Sequence, residues 1–136
     1  MAEKFINFVA IAKAGIEKTI IPSGINGENT SFVGDNANEG SNSRDVNSTV
    51  IVNGLYISGT ATDAAYNFSL FIKDSNYPSR PITVIQNIPI PVHTGFFLER
   101  AITLLPTQYL SILAPEAQNP SNGILHISAS SIEVMD

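Results

Sequence analysis

Residues Ser48 to Asp74 read STVIVNGLYISGTATDAAYNFSLFIKD, and their periodicity decides the fold class. In the second half, Tyr66, Phe68, Leu70 and Ile72 alternate with Asn67, Ser69, Phe71 and Lys73. That period of two is the pattern of a half-buried strand. In the first half, Val50 and Val52 keep one parity while Leu55 and Ile57 keep the other. The slip falls at Asn53-Gly54 and reads as a β-bulge or sharp bend inside one long strand. Thr60 to Asp63 is then expected to make a short hairpin connection between the two strands.

Working outward, DSNYPSRP is a turn rich in Asp, Ser, Asn and Pro. ITVIQ, NIPIPV, GFFLERAITLLP, QYLSILAP and GILHISASSIEVMD follow, each short, apolar, and bounded by Gly, Pro or Asn. Such spacing predicts an all-β chain, a single antiparallel β-sandwich, jelly-roll-like, over residues 1–136. FFLERAITLL also places Phe97, Ala101 and Leu104 at helical spacing, but Ile102-Thr103 and the flanking Thr94-Gly95 and Pro106 favour a strand. The N-terminal segment, residues 1–22, stays open. Ile6, Phe8, Ala10 and Ala12 make a strand face, whereas Phe5, Phe8 and Val9 make a helix face. MAEKFINFVAIAKAG reads as part of the fold rather than a signal peptide, because Asn7 breaks its apolar run.

Residues 23–49 differ in kind. Fifteen of these 27 residues are Gly, Asn or Ser, and only Ile25, Phe32, Val33 and Val46 are strongly apolar. A long polar loop is expected, of a length that usually carries function or disorder. Ser31-Phe32-Val33 is its candidate point of attachment, and Phe32, Val33, Asp35 and Asn38 are its candidate partner contacts.

In NIPIPV, Ile88, Ile90 and Val92 share one face, and Pro89 and Pro91 the other. Proline has no N–H, so the segment fits only a sheet edge. Edge prolines also block pairing with stray strands. Ile88, Pro89, Ile90, Pro91 and Val92 are therefore candidate edge and oligomer contacts, with ordinary edge protection as the alternative.

Composition narrows function. Charged residues are 14% of the chain against roughly 25% in ordinary soluble domains. Net charge is −5, and no Lys or Arg occurs from Ala101 to Asp136, so no nucleic-acid partner is expected. No window is long enough to predict a membrane span. There is no cysteine, which removes disulfides and thiolate metal sites. A surface of Asn, Ser and Thr tolerates close packing against copies of itself.

Reaction chemistry is missing from the motifs. In Asp35 to Val46, the calcium-loop positions one, three, five, six and twelve hold Asp35, Ala37, Glu39, Gly40 and Val46. The closing Glu of an EF-hand is not there. His93 and His126 stand without a second ligand at metal-binding spacing. Glu99, Glu116 and Glu133 offer unpaired carboxylates, with nothing to select a glycosidase pair. The triplets at Asn29, Asn47 and Asn67 are the chance product of a chain rich in Asn, Ser and Thr. No enzyme activity and no cofactor or metal is expected.

The order VNGLYISGT, YNFSLFI, NIPIPVHTGFFLERAITLLPTQYLSILAP, ISASSIEV, over roughly residues 48 to 134, resembles small β-sandwich virion proteins of tailed bacteriophages. The resemblance implies a non-enzymatic structural protein of the virion, assembled in the host cytoplasm: a capsid decoration or cement subunit, or a neck or tail component. Its partners would be other copies of itself and other virion proteins, namely major capsid or head-tail proteins. Phe96, Phe97 and Tyr109 are expected in the core of such a sandwich. The alternative is a carbohydrate-binding β-sandwich, in which Tyr56, Tyr66, Tyr77 and Tyr109 would have to replace the missing tryptophans.

Overall fold

The computed structural model describes residues 2–13, 15–25, 29–31, 41–59, 66–90, 94–114 and 124–135. Eleven strands lie among them: β1 (Ala2–Lys13), β2 (Lys18–Ile21), β3 (Asn29–Ser31), β4 (Ser41–Ser43), β5 (Thr49–Gly59), β6 (Tyr66–Asp74), β7 (Tyr77–Ile90), β8 (Gly95–Leu98), β9 (Ile102–Leu104), β10 (Gln108–Leu113) and β11 (Ile124–Met135). One sheet runs β1-β11-β5-β8, with β9 also on β5; the other runs β2-β10-β6-β7; β3 and β4 form a small hairpin. The two main sheets pack face to face as an antiparallel β-sandwich.

The pairing is nested. β6 pairs β7, β5 pairs β8 and β9, β2 pairs β10, and β1 pairs β11. This describes one long hairpin, with its tip at the tight turn between Asp74 and Tyr77, rolled so that its two halves also meet along β11–β5 and β10–β6. That winding is the jelly roll. It corrects the expected hairpin across Thr60 to Asp63. β5 and β6 lie in different sheets, so the chain changes layer there instead of turning back beside itself.

Each sheet turns an apolar face inward. Phe8, Val50, Val52, Leu55, Ile57 and Leu125 from one sheet meet Ile20, Phe68, Leu70, Leu110 and Ile112 from the other, all buried. Phe68 and Phe96 bridge the layers edge to face with centroids 5.3 Å apart. In β1 the buried residues are Phe8, Ala10 and Ala12, so the strand alternative describes the N-terminal segment and Phe5 points to solvent.

The parity slip is a bulge. Gly54 pairs Ser130 and Val52 pairs Ser131, which leaves Asn53 as the extra residue. The bulge puts Val50, Val52, Leu55 and Ile57 all inside. It also divides the neighbouring strand: β8 pairs residues 55–58 and β9 pairs residues 50–52. The strand expected through FFLERAITLL is therefore two, separated at Glu99–Ala101. In the other direction, ITVIQ and NIPI, expected as separate elements, join in the single strand β7. Its register on β6 is repeatedly irregular. Asn87 adopts φ 52° and donates its N–H to Ser69 Oγ at 3.0 Å.

The polar segment is less of a loop than its composition implies. It contains the β3–β4 hairpin, and its second half is fastened to the sandwich. Asn42 is buried where β1 and β2 diverge into different sheets. Its Nδ2 donates to Val9 O at 2.7 Å and Ile20 O at 2.8 Å, while its Oδ1 accepts from Val9 N at 3.2 Å. Gly24 N–H donates to Pro106 O, and Asn47 N–H to Gly24 O, each at 2.7 Å.

Candidate functional site

β11 is central in the five-stranded sheet, and cross-strand register places every side chain of the outer face. Val9, Ser128, Tyr56 and Phe97 form one row across β1, β11, β5 and β8. Asn7, Ser130 and Gly54 form the next, and Phe5, Ile132, Ile51 and Thr103 the one after. Within these rows nothing is charged. Phe5 is 87% exposed, Phe97 55% and Tyr56 47%. Around them Val9, Ile11, Ile51, Ile132 and Val134 are half-buried. A sheet face in a finished monomer usually carries polar side chains at such positions, and concentrated exposed apolar surface marks a contact site.

A shallow cleft of about 330 Å³ lies on this face, lined by Asn53, Gly54, Tyr56, Phe97, Ser128 and Ser130. The bulge creates it by turning Gly54 outward beside Phe97. A Cβ at Gly54 would stand 3.3 Å from Phe97 Cζ, and one at Gly95 would meet the Tyr56 hydroxyl at 2.5 Å. Glycine at both positions lets the rings lie down over backbone. The two rings are tilted by 48° with centroids 6.5 Å apart. Ser128 Oγ donates to Asn7 Oδ1 at 3.1 Å, which occupies part of the polar rim. The cleft is mainly apolar and suits an aromatic or aliphatic group.

The structure distributes the residues singled out in the sequence unevenly. Ile90 is buried and Ile88 half-buried against the core, while Pro89 is exposed on β7. β7 is the last strand of its sheet. Pro91, Val92 and His93 lie outside the described residues, as do Phe32, Val33, Asp35, Asn38 and Glu116. His126 and Glu99 are exposed. Among the described residues, no group of three or more His, Asp or Glu side chains is placed to hold a metal ion. Phe97, expected in the core with Phe96 and Tyr109, is outside. Adjacent residues of a strand point to opposite faces, and Phe96 takes the inner one. Tyr109 is half-buried.

Sequence reasoning missed an interior polar node. Arg44 is 2% exposed. Its Nη1 donates to Pro22 O and Gln108 O at 3.0 and 2.6 Å, and its Nη2 to Ser48 O, Leu104 O and Leu105 O at 2.6, 3.1 and 2.9 Å. Nε donates to Ser48 Oγ at 3.2 Å, and that hydroxyl donates on to Glu133 Oε1 at 2.7 Å. Asp45 N–H donates to the same oxygen at 2.6 Å. Burial lowers the Arg44 pKa to about 10, which leaves it charged at neutral pH. At the rim, Lys4 Nζ sits 2.9 Å from Asp45 Oδ2 and 3.5 Å from Glu133 Oε2, and the hydrogen bond to Asp45 raises its pKa. Glu133 Oε2 accepts no hydrogen bond and meets Lys4 only as an ion pair. A signal was available: Arg44 is the only Lys or Arg in residues 23–49.

The chain matches no protein-family model and no curated protein sequence.

Proposed function

We propose that this protein is a non-enzymatic assembly subunit that works by being placed, with the outer face of the five-stranded sheet as its contact surface. The observation that carries this is the trio Phe5, Tyr56 and Phe97. They stand exposed on one face whose central rows carry no charge, over a sandwich that has its own buried apolar core. Large aromatic side chains in water gain most from a partner that covers them.

The finer reading is a virion structural protein of a tailed bacteriophage, a capsid decoration or cement subunit or a neck or tail component. It rests on the resemblance over residues 48 to 134, low charge density and net charge of −5, which speaks against a nucleic-acid partner. Jelly rolls serve as viral capsid domains, an analogy of fold and no more. On this reading the partners are other copies of the chain and major capsid or head-tail proteins. Pro89 on the outer strand β7 keeps that edge from open-ended pairing. Contacts through the 88–92 stretch would use that edge rather than the inward-facing Ile88 and Ile90. An antibody against the chain should label particles purified from lysed host cells at regular positions. Chain recovered only from the soluble fraction would overturn the virion reading.

A carbohydrate-binding module is the second reading, favoured by Asn53, Ser128 and Ser130 beside the Tyr56–Phe97 pair. Lectin domains also use the jelly roll. A glycan array probed with and without calcium should give hits that Tyr56→Ala abolishes; signals no stronger than background remove this reading.

A further inference from the structure

We propose that the outer face of the five-stranded sheet seats a second copy of this chain, with Phe5 of each copy inserted in the Tyr56–Phe97 cleft of the other. The inference rests on the assembly reading above and names the occupant of that surface.

A twofold contact requires one patch to carry both a projection and the depression that receives it, because residue i meets j while j meets i. This face carries both. Phe5, 87% exposed, is the most exposed large apolar side chain on it, and the mainly apolar cleft is a depression on the same face. Phe5 pairs Ile132 on β11 and Tyr56 pairs Ser128 on β11. They therefore lie two strands and four residues apart, roughly 16 Å from strand spacing and rise. Ser130 falls midway. An axis lying between the two faces and passing over Ser130 exchanges the projection and the cleft, and the sheets then cross steeply, in the orthogonal mode of sheet packing.

The side chains near that axis are Ser130, Gly54 and Asn7, small or short, so the two faces can approach closely there. Charge does not oppose the contact. On the paired strands of this face, charged side chains occur only at the ends of β1, Glu3 and Lys13, although the chain carries −5 overall. Area comes close to the requirement as well. At about 200 Å² each, the three aromatics expose roughly 380 Å² per copy. Two copies therefore offer about 760 Å², and the half-buried Val9, Ile11, Ile51 and Ile132 add to this. A specific interface begins near 1,000 Å² in total.

The test is sedimentation equilibrium of the wild-type chain, Phe5→Ser, Phe97→Ser and an equimolar mixture of the two variants, over a concentration series. Thermal melts would confirm that both variants remain folded, as exposed positions should. The wild type should dimerise, and each variant should weaken the dimer by about 100-fold or more, since a central aromatic contact is lost twice. The mixture should associate more tightly than either variant alone, because one intact Phe5 then faces one intact cleft. A wild-type oligomer unaffected by either substitution, or variants that show no mutual rescue, would overturn this pairing and leave the assembly reading standing. A wild type that stays monomeric at every concentration also overturns the pairing. If that monomer binds a virion protein or a saccharide through Phe97, the face belongs to that occupant; if it binds no particle, the assembly reading falls too.

Discussion

Two regions of this protein reverse the usual sorting of side chains, and they do so differently. Around Arg44 a charge is buried; on the outer face of the five-stranded sheet Phe5, Tyr56 and Phe97 are exposed. The buried charge is answered within the chain. Its donors reach five backbone carbonyls and one hydroxyl, from segments as far apart as Pro22 and Gln108. Among the described residues, nothing covers the exposed rings. A reversal compensated inside reads as architecture, and one left open reads as a surface awaiting a partner. Substitutions in the first region should therefore act on stability, and those in the second on association.

The largest effect should come from Arg44→Met. The methionine fills much of the volume but leaves the buried carbonyls of Pro22, Ser48, Leu104, Leu105 and Gln108 short of a donor. It also leaves Glu133 without a nearby buried cation. A loss of about 3–5 kcal/mol is expected, measured as a lower urea midpoint with little change in slope. A loss below about 1 kcal/mol would mean that the node is dispensable. Glu133→Gln is milder, at about 1–2 kcal/mol. The amide oxygen can still accept from Asp45 N–H and Ser48 Oγ, and what is removed is the negative charge beside Lys4 and Arg44.

Gly95→Ala sharpens the contrast from the other side. The new methyl would meet the Tyr56 hydroxyl at 2.5 Å, and the exposed ring can swing away. Stability should change by no more than about 0.5–1 kcal/mol, while self-association, read by sedimentation, should weaken because the cleft loses one wall. The smallest effect belongs to Lys4. Its pKa is raised above the ordinary 10.5 by Asp45 and Glu133. The stability it contributes is therefore complete below about pH 10.5 and is lost as pH rises through the higher folded value. Because the lysine side chain is half exposed, screening keeps that contribution small. Lys4→Met should lower the urea midpoint slightly at pH 8, and the difference should fade as pH rises through the lysine's raised pKa.

Much of the architecture was legible because strands announce themselves by parity. The alternation from Tyr66 to Ile72 and the slip at Asn53-Gly54 identify strands and a bulge from side-chain type alone. Pro89 of NIPIPV fits the outermost position of β7 for the same local reason: a missing donor needs no neighbour. What escaped was non-local. That β5 and β6 change sheets across residues 60–65, rather than turning back, depends on which strands close the roll. That β8 and β9 are separate depends on a bulge in a different strand. Arg44 lay hidden among Asn, Ser and Gly because its partners are main-chain carbonyls, which leave no trace in side-chain composition. Phe97 was misassigned for a simpler reason. Two adjacent phenylalanines cannot both face inward from a strand, and composition does not say which one does.

The central claim, that the outer face of the five-stranded sheet is the surface left for a partner, is tested most directly by hydroxyl-radical footprinting of side chains at low and high protein concentration. Phe5, Tyr56 and Phe97 should be modified readily in the dilute protein and protected in the concentrated one. Tyr77 and Ile82 on β7, exposed by 61% and 57%, should be modified equally in both. Protection of Tyr77 and Ile82, with Phe5, Tyr56 and Phe97 labelled alike at every concentration, would contradict the account and move the contact surface to the edge of the other sheet.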